Sequence, residues 1–285
     1  MSAGTQEFSV RWSARRMAGE LPAGEYFAGL FLIGCVSGFV SRIIHSIEEI
    51  GWADAFFRTF GISAIVWFSC AAGLFLIARD RENSVRLFDI ALGAGFVFLV
   101  ILPVGALSWI AVTGLALYVL LFTEVARLRR GASILLAVTV PMFWSPMLFQ
   151  LFVRYILAAD AVLVSSLLGT PRTGNLVEFA DRSGQLAIFP LCSSLTNVSL
   201  AFLCWVTFSQ LVCHRKSAYD FLWCLLACAA VVAVNVTRMA IMGISQWHYA
   251  TFHNDWGEAG ANIIILSLII SICALGVRRE LVERV

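Results

Sequence analysis

Long apolar runs separated by short polar loops dominate this chain. A helix that crosses a bilayer needs about 20 apolar residues, since each residue of an α-helix rises about 1.5 Å. Eight such runs predict transmembrane helices, at 26–44, 62–78, 87–102, 105–126, 131–152, 191–213, 218–244 and 259–277. The segment 153–169 is also apolar, but Asp160 interrupts it, and we interpret it as a re-entrant or interfacial helix. The predicted fold class is therefore an all-α polytopic membrane protein.

The longest polar interruption in the second half of the chain, 170–190, has a different pattern. Two short runs typical of strands, 176–179 and 186–189, flank a turn that contains Gly184. Such runs around a glycine-containing turn predict a small β-hairpin. We expect this hairpin to lie on the membrane surface, on the same side as the segment 153–169.

The distribution of basic residues orients the helices. With the N-terminus in the cytoplasm and eight spans, 14 of the 20 Arg and Lys residues fall on the cytoplasmic side, which agrees with the positive-inside rule. A ninth span at 153–169 would move Arg215 and Lys216 to the outer side, so we place that segment on the outer surface. The predicted organisation is a cytoplasmic segment 1–25 without a cleavable signal peptide, a five-helix membrane region 26–152, a second membrane region 153–277 and a cytoplasmic tail 278–285.

Composition supports the membrane class and narrows the partners. The chain is 60% hydrophobic and 13% charged, whereas a soluble domain is about 45–50% apolar and about 25% charged. The net charge of +2 gives no indication of nucleic-acid binding. The eight cysteines form no Cys-x-x-Cys pair and no zinc-ligand spacing, so we predict neither a metal nor a cofactor. The lipid bilayer is a predicted partner. The sequence does not predict which oligomeric state the protein has.

A thiol, a guanidinium and an imidazole are predicted to meet on the outer side. Cys192 begins the span 191–213 just after Pro190, in a first helical turn whose free N–H groups and dipole favour a thiolate. Arg238 lies about 20 residues into a span that starts on the cytoplasmic side, which places it about 30 Å along, at the outer boundary. His253 lies in the outer loop before the last span.

These residue types are the ones that thiol-based acyl transfer requires. An imidazole within hydrogen-bond reach can take the proton of a thiol, and a cation can stabilise the oxyanion of a tetrahedral intermediate. Cys192 is therefore the candidate nucleophile, His253 the acid and base, and Arg238 the charge-stabilising group. A competing base is His248 in the same loop, and an arginine that only snorkels to the interface is the competing interpretation of Arg238.

Three neighbouring residues are candidates for supporting roles. Asn235 lies three residues before Arg238 on the same helix face, where its side chain can orient the guanidinium. Ser193 and Ser194 can cap the helix or donate a hydrogen bond to a substrate carbonyl.

The same residues resemble the motifs of the exosortase/archaeosortase family of polytopic membrane cysteine transpeptidases. The family pattern is a Cys-Ser-Gly-like motif at the outer start of a span, Asn-x-x-Arg on the next span, and His with Gly four residues later before the last span. In this chain these are Cys192-Ser193-Ser194, Asn235-x-x-Arg238 and His253-x-x-x-Gly257. The resemblance covers roughly residues 150–275. It departs from the family where Ser194 replaces the usual glycine and where Pro190-Leu191 replaces small residues.

The resemblance implies a cysteine protease or transpeptidase of a bacterial or archaeal cytoplasmic (inner) membrane, with its active site on the outer, periplasmic side. Its substrates would be membrane-anchored proteins that carry a C-terminal sorting signal. That signal consists of a short motif such as Pro-Glu-Pro, one transmembrane helix and an arginine-rich cytoplasmic tail. The enzyme would cut near the motif, hold the product as a thioester on Cys192 and transfer it to an acceptor.

Other classes of protein remain alternatives. A transporter would use Arg238 on an anion path, although the residue is predicted near an interface and no repeat of broken helices is visible. A non-catalytic membrane subunit would require neither the thiol nor the imidazole. An outward-facing thiol oxidoreductase would normally carry the Cys-x-x-Cys pair that this chain lacks.

Overall fold

A computed structural model describes residues 21–81, 83–102, 104–214, 217 and 219–278. Most of the predicted cytoplasmic segment 1–25 and tail 278–285 lies outside these residues. The described residues form two compact units that divide between Thr139 and Val140. The functional division predicted after residue 152 stays a prediction.

The helices are α1 (Ala23–Ile50), α2 (Trp52–Phe57), α3 (Ala64–Ala78), α4 (Leu87–Ile101), α5 (Gly105–Phe122), α6 (Ala126–Thr139), α7 (Ser145–Leu168), α8 (Ser194–Leu211), α9 (Tyr219–Met242), α10 (Gln246–Phe252) and α11 (Asp255–Gly276). A π-helical segment, Val140–Trp144, precedes α7, and 3₁₀ turns occupy Thr59–Gly61 and Pro190–Cys192. The strands are β1 (Arg172–Thr173), β2 (Leu176–Glu178) and β3 (Gln185–Ala187).

Six helical segments among the described residues are long and apolar enough to cross a membrane. They are Ala23–Ile50, Gly105–Phe122, Ala126–Leu168, Ser194–Leu211, Tyr219–Met242 and Trp256–Gly276. By helix length and hydropathy the chain is thus a multi-pass membrane protein, and the predicted all-α membrane class is confirmed. The predicted spans 62–78 and 87–102 instead form α3 and α4, of 15 residues each. Such helices are about 22 Å long, whereas the hydrocarbon core is about 30 Å thick.

The segment 153–169 follows the predicted span 131–152 across a kink and not across a loop. It is the second half of α7, which runs from Ser145 to Leu168 and bends at Phe152, where φ is −119° and ψ is 19°. The change of direction therefore falls at the predicted boundary, but helical structure continues through it. That this half of α7 lies at a membrane surface stays a prediction.

In the first unit, small residues allow helices to approach closely. Helix α3 packs against α6, and α1 packs against α3, α4 and α5. A Cβ atom at Gly131 would lie 2.7 Å from the carbonyl oxygen of Gly73, so the α3–α6 contact requires glycine there.

In the second unit, α9 is the central helix. It packs against α7, α8, α10 and α11. One apolar core joins α7, the sheet and α9, and it contains Leu157, Ala161, Val164, Val177, Phe179, Leu186, Ile188, Val236, Met239, Ala240 and Met242. This core fixes the sheet against the end of α9.

The predicted β-hairpin is confirmed and gains a third strand. Strands β2 and β3 pair antiparallel, with Val177 opposite Leu186, and β1 pairs with the other side of β2. The hairpin turn also satisfies the C-terminal end of α9, because the N–H groups of Ala180 and Asp181 donate to the carbonyls of Gly243 (3.0 Å) and Ile244 (3.2 Å). The last carbonyls of a helix lack partners within it, so this contact ties the hairpin to α9.

Candidate active site around Cys192

The sequence predicts Cys192 in the first turn of helix α8, but in the structure this residue lies before the helix. It ends the 3₁₀ turn Pro190–Cys192, and its N–H donates to the carbonyl of Phe189 at 2.9 Å. Ser193 is the N-cap of α8, and its Oγ accepts from the N–H of Leu195 at 3.3 Å. Serine is among the best N-cap residues, so α8 starts one residue after it. The expected capping role of Ser193 is confirmed.

Two buried polar side chains hold the turn that carries Cys192. Asp160 of α7 accepts from the N–H of Ser194 (3.1 Å), and Asn235 of α9 donates to the carbonyl of Cys192 (2.8 Å) and to Ser194 Oγ (3.0 Å). Asp160, Ser194 and Asn235 are only 5%, 5% and 3% exposed. Since buried polar groups are costly without partners, these bonds fix the turn between α7 and α9.

This arrangement changes two expectations from the sequence. Asn235 was predicted to orient Arg238, but its amide binds the Cys192 turn, and among the described residues no hydrogen bond joins it to Arg238. Free N–H groups in the first helical turn were expected to favour a thiolate, but two of them, on Ser194 and Leu195, already donate to Asp160 and Ser193. These two N–H groups are therefore not available to a thiolate.

The structure brings Cys192 and His253 to one pocket. Both line it together with Leu186, Ala187, Ile188, Met239, Met242 and Tyr249. Cys192 precedes α8, Met242 ends α9 and His253 precedes α11, so the pocket lies at the same end of three helices. Its cavity volume is about 10 Å³, room for about one water molecule. A substrate larger than water must therefore lie across the pocket.

The local chain path around His253 explains the glycine four residues later. His253 caps the end of α10 by donating its N–H to the carbonyl of Tyr249 at 2.9 Å. Asn254 then caps the start of α11 by accepting from the N–H of Gly257 at 2.9 Å. A Cβ atom at residue 257 would lie 2.4 Å from the carbonyl oxygen of Phe252. The tight turn that contains His253 thus requires glycine at this position.

The imidazole of His253 is exposed and stacks on the ring of Tyr249, with centroids 4.7 Å apart and planes 17° apart. Tyr249 lines the same pocket, so its ring restricts where the imidazole can lie. His248 has different surroundings. Its Nδ1 forms a 2.8 Å hydrogen bond with Ser245 Oγ, and it is not among the residues that line the pocket. This geometry favours His253 as the base.

His248 instead lies close to the hairpin. Hydrogen bonds from Ser183 lower the pKa of the Asp181 carboxyl, and the nearby imidazole of His248 adds to this lowering. Asp181 is also the residue whose N–H donates to the end of α9. His248 therefore lies near the hairpin rather than in the lining of the Cys192 pocket.

Arg238 lies on α9, one turn after Asn235 and four residues before the helix ends. Its side chain is partly buried, and its Nε is buried without a hydrogen-bond partner among the described residues. No hydrogen bond in the described part of the chain joins it to Cys192 or His253. Arg238 is also not among the residues that line the Cys192 pocket, so the structure brings the thiol and the imidazole together but not the guanidinium.

Sequence reasoning missed two residues of this site. Asp160 is the one carboxylate in the apolar stretch 151–168, and an ionisable residue in such a stretch is a functional candidate by default. Tyr249 lies four residues before His253, the spacing of stacked neighbours on a helix, but nothing in the pattern distinguished it. The described residues contain no group of three or more His, Cys, Asp and Glu side chains placed to hold a metal ion.

The fold and the site together define a multi-pass membrane protein with a thiol and an imidazole at one pocket near the ends of its helices. No protein-family model matches the chain, and the comparisons with curated proteins and with solved structures found no match. The resemblance to the exosortase/archaeosortase family therefore rests on the motif residues alone.

Proposed function

We propose that this protein is a membrane-embedded cysteine protease or transpeptidase that resembles the exosortase/archaeosortase family. The observation that carries the proposal is the pocket shared by Cys192 and His253, two residues from separate loops of the second unit. A structural subunit would have no need for a nucleophile and a base in contact with one cavity. The transferred acyl group would come from a membrane-anchored protein with a C-terminal sorting signal.

The reaction uses the three groups in distinct roles. His253 takes the proton of the Cys192 thiol, and the sulfur attacks the carbonyl carbon of the scissile peptide bond. Arg238 stabilises the negative oxygen of the tetrahedral intermediate; this role requires the guanidinium to turn toward the pocket, and its Nε–H has no hydrogen-bond partner among the described residues. The C–N bond then breaks, and His253 returns the proton to the leaving amine. An acceptor nucleophile next attacks the thioester carbonyl and releases the Cys192 thiol.

The location of the pocket suits a substrate that is itself anchored in the membrane. The pocket lies where α8 and α11 begin and α9 ends, and each of these helices is long enough to span a bilayer. If the substrate has its own transmembrane helix, a peptide bond next to the end of that helix would lie at the same depth as the pocket. In the topology predicted from the basic residues, this level is the outer, periplasmic side of a cytoplasmic membrane.

The experiment is co-expression of the protein with a tagged membrane protein that carries such a signal. We expect a smaller tagged product that depends on Cys192. The Cys192→Ala protein should accumulate normally without processing, whereas Cys204→Ala, which changes a buried thiol of α8, should retain it. Equal processing by Cys192→Ala and wild type would reject the proposal.

A further inference from the structure

Strand β3 forms a free edge of the small sheet. The strand order is β1-β2-β3, so β3 has a neighbour on one side only. Hydrogen bonds from Ile188 N–H to Asn175 O and from Phe179 N–H to Gly184 O, both 3.0 Å, fix which residues face β2. Residues whose main chain faces the partner strand alternate with residues whose main chain faces away from it. The N–H and C=O groups of Gln185 and Ala187 therefore point away from β2. They have no hydrogen-bond partner among the described residues.

This free edge borders the candidate active site. Ala187, with Leu186 and Ile188 on either side, lines the pocket that contains Cys192 and His253. The side chain of Leu186 is buried in the core, whereas Gln185 is exposed and Ala187 is partly exposed. The two residues whose main-chain groups point away from β2 are thus not buried in the core, and one of them lines the pocket of the thiol.

We propose that the edge of β3 binds the substrate polypeptide as an added strand and thereby presents its scissile bond to Cys192. This inference rests on the proposed function and names how that site recognises its substrate. An unpaired row of N–H and C=O groups is complementary to another extended backbone. Such pairing recognises an extended segment through its main chain, with few demands on its side chains.

The two edges of the sheet differ in a way that favours this occupant. On β1, the residue whose main chain points away from β2 is Arg172, an exposed charged residue of the kind that protects edges from pairing. On β3, the corresponding residues Gln185 and Ala187 are uncharged. The unprotected edge is the one that borders the pocket, which indicates a peptide substrate rather than a second copy of the chain.

The test uses alkylation of Cys192 in the full-length protein, so it requires no turnover. The probe is acetyl-tetra-alanyl chloromethyl ketone, from which the thiolate displaces chloride. The comparison reagent is the same compound with N-methylated amides. Wild type should react at least about tenfold faster with the first reagent, since only that reagent can donate main-chain hydrogen bonds. Mass spectrometry identifies the alkylated residue.

Ala187→Pro removes an N–H that lies outside the β2–β3 ladder, so the edge is blocked while the hairpin is kept. It should reduce the rate ratio of the two reagents to below about twofold. Alkylation by iodoacetamide, measured in parallel, corrects for any change in the reactivity of the thiol itself. The matched control is Arg172→Pro, which changes the outward position of the opposite edge and should keep the wild-type ratio. If Ala187→Pro does not accumulate, Gln185→Pro makes the same test.

A ratio near one in wild type, or an undiminished ratio in a folded edge variant, would overturn the inference. A concentration-dependent dimer that the edge variant abolishes, together with a ratio near one, would assign the edge to a second copy and would also overturn it. A high ratio that falls in Ala187→Pro, in a protein that processes no membrane substrate, would support the edge site and reject the proposed function alone.

Discussion

The substitution Gly257→Ala tests whether the turn that holds His253 is as tight as the structure indicates. The added Cβ would lie 2.4 Å from the carbonyl oxygen of Phe252 and 2.8 Å from its carbon, whereas contacts under 3.0 Å are essentially never seen. To reach 3.0 Å, the Phe252 carbonyl or α11 must shift by at least 0.6 Å (3.0 − 2.4). His253 follows Phe252 directly, so its imidazole moves as well.

Two free energies of opposite sign act on the stability of this variant. Overpacking typically destabilises a fold by about 1–3 kcal/mol, and alanine is about 1 kcal/mol better than glycine inside a helix. The expected net loss is therefore about 0–2 kcal/mol, which leaves the protein folded. Catalysis should suffer more, because misplacement of a reacting group by about 1 Å can cost about 100-fold in rate. We expect turnover to fall by about 10- to 100-fold.

The control for this variant is Gly260→Ala in the same helix. A Cβ atom at residue 260 would meet nothing within 4 Å, so this change should be neutral for turnover and stabilising by about 0.5–1 kcal/mol. The assay compares single-turnover processing of the tagged membrane substrate by the two purified variants, normalised to folded protein. Equal rates for the two would show that Gly257 does not position His253.

Three further predictions concern the polar groups of the site. His253→Ala should lose far more turnover than His248→Ala in the same assay, because only His253 lines the Cys192 pocket; the reverse order would make His248 the base. Arg238→Lys should insert normally but process substrate at least about 100-fold more slowly, since an ammonium cannot replace the planar fork of donors; a wild-type rate would mean that a cation alone suffices. Asp160→Asn keeps an acceptor for the Ser194 N–H and should retain turnover within about threefold, whereas Asp160→Ala leaves that buried N–H unpaired, at a cost of about 1–3 kcal/mol in stability. Equal thermal stability of the two Asp160 variants would argue against the hydrogen bond as the reason for the carboxylate.

The membrane class, the hairpin and the position of Cys192 and His253 at one pocket followed from sequence patterns. Apolar runs report helices directly, and alternation through short loops brings Cys192, the end of α9 and His253 to one level. The predicted helix boundaries were wrong where the capping and helix-breaking residues were weak or misjudged. Ser193 is a stronger N-cap residue than Cys192, so α8 starts later than predicted. No proline, glycine or capping residue interrupts 151–158, so α7 continues through the predicted end of a span.

The buried hydrogen bonds of the site could not be predicted from the sequence pattern. The backbone N–H that the Asp160 carboxylate binds depends on how α7 packs against the start of α8, which no spacing in the sequence encodes. The same holds for Asn235, whose spacing from Arg238 predicted a contact along the helix. In the structure its amide turns to the carbonyl of Cys192, because the buried turn offers an otherwise unpaired acceptor.

The most direct test of the central claim is to detect the acyl group on the nucleophile. Purified protein is mixed with the tagged membrane substrate, quenched in acid, digested and analysed by mass spectrometry. We predict that the peptide containing Cys192 carries a hydroxylamine-sensitive adduct whose mass corresponds to the substrate up to the cut site. The Cys192→Ala protein should show neither adduct nor product. Product formation at the wild-type rate by Cys192→Ala would contradict the account.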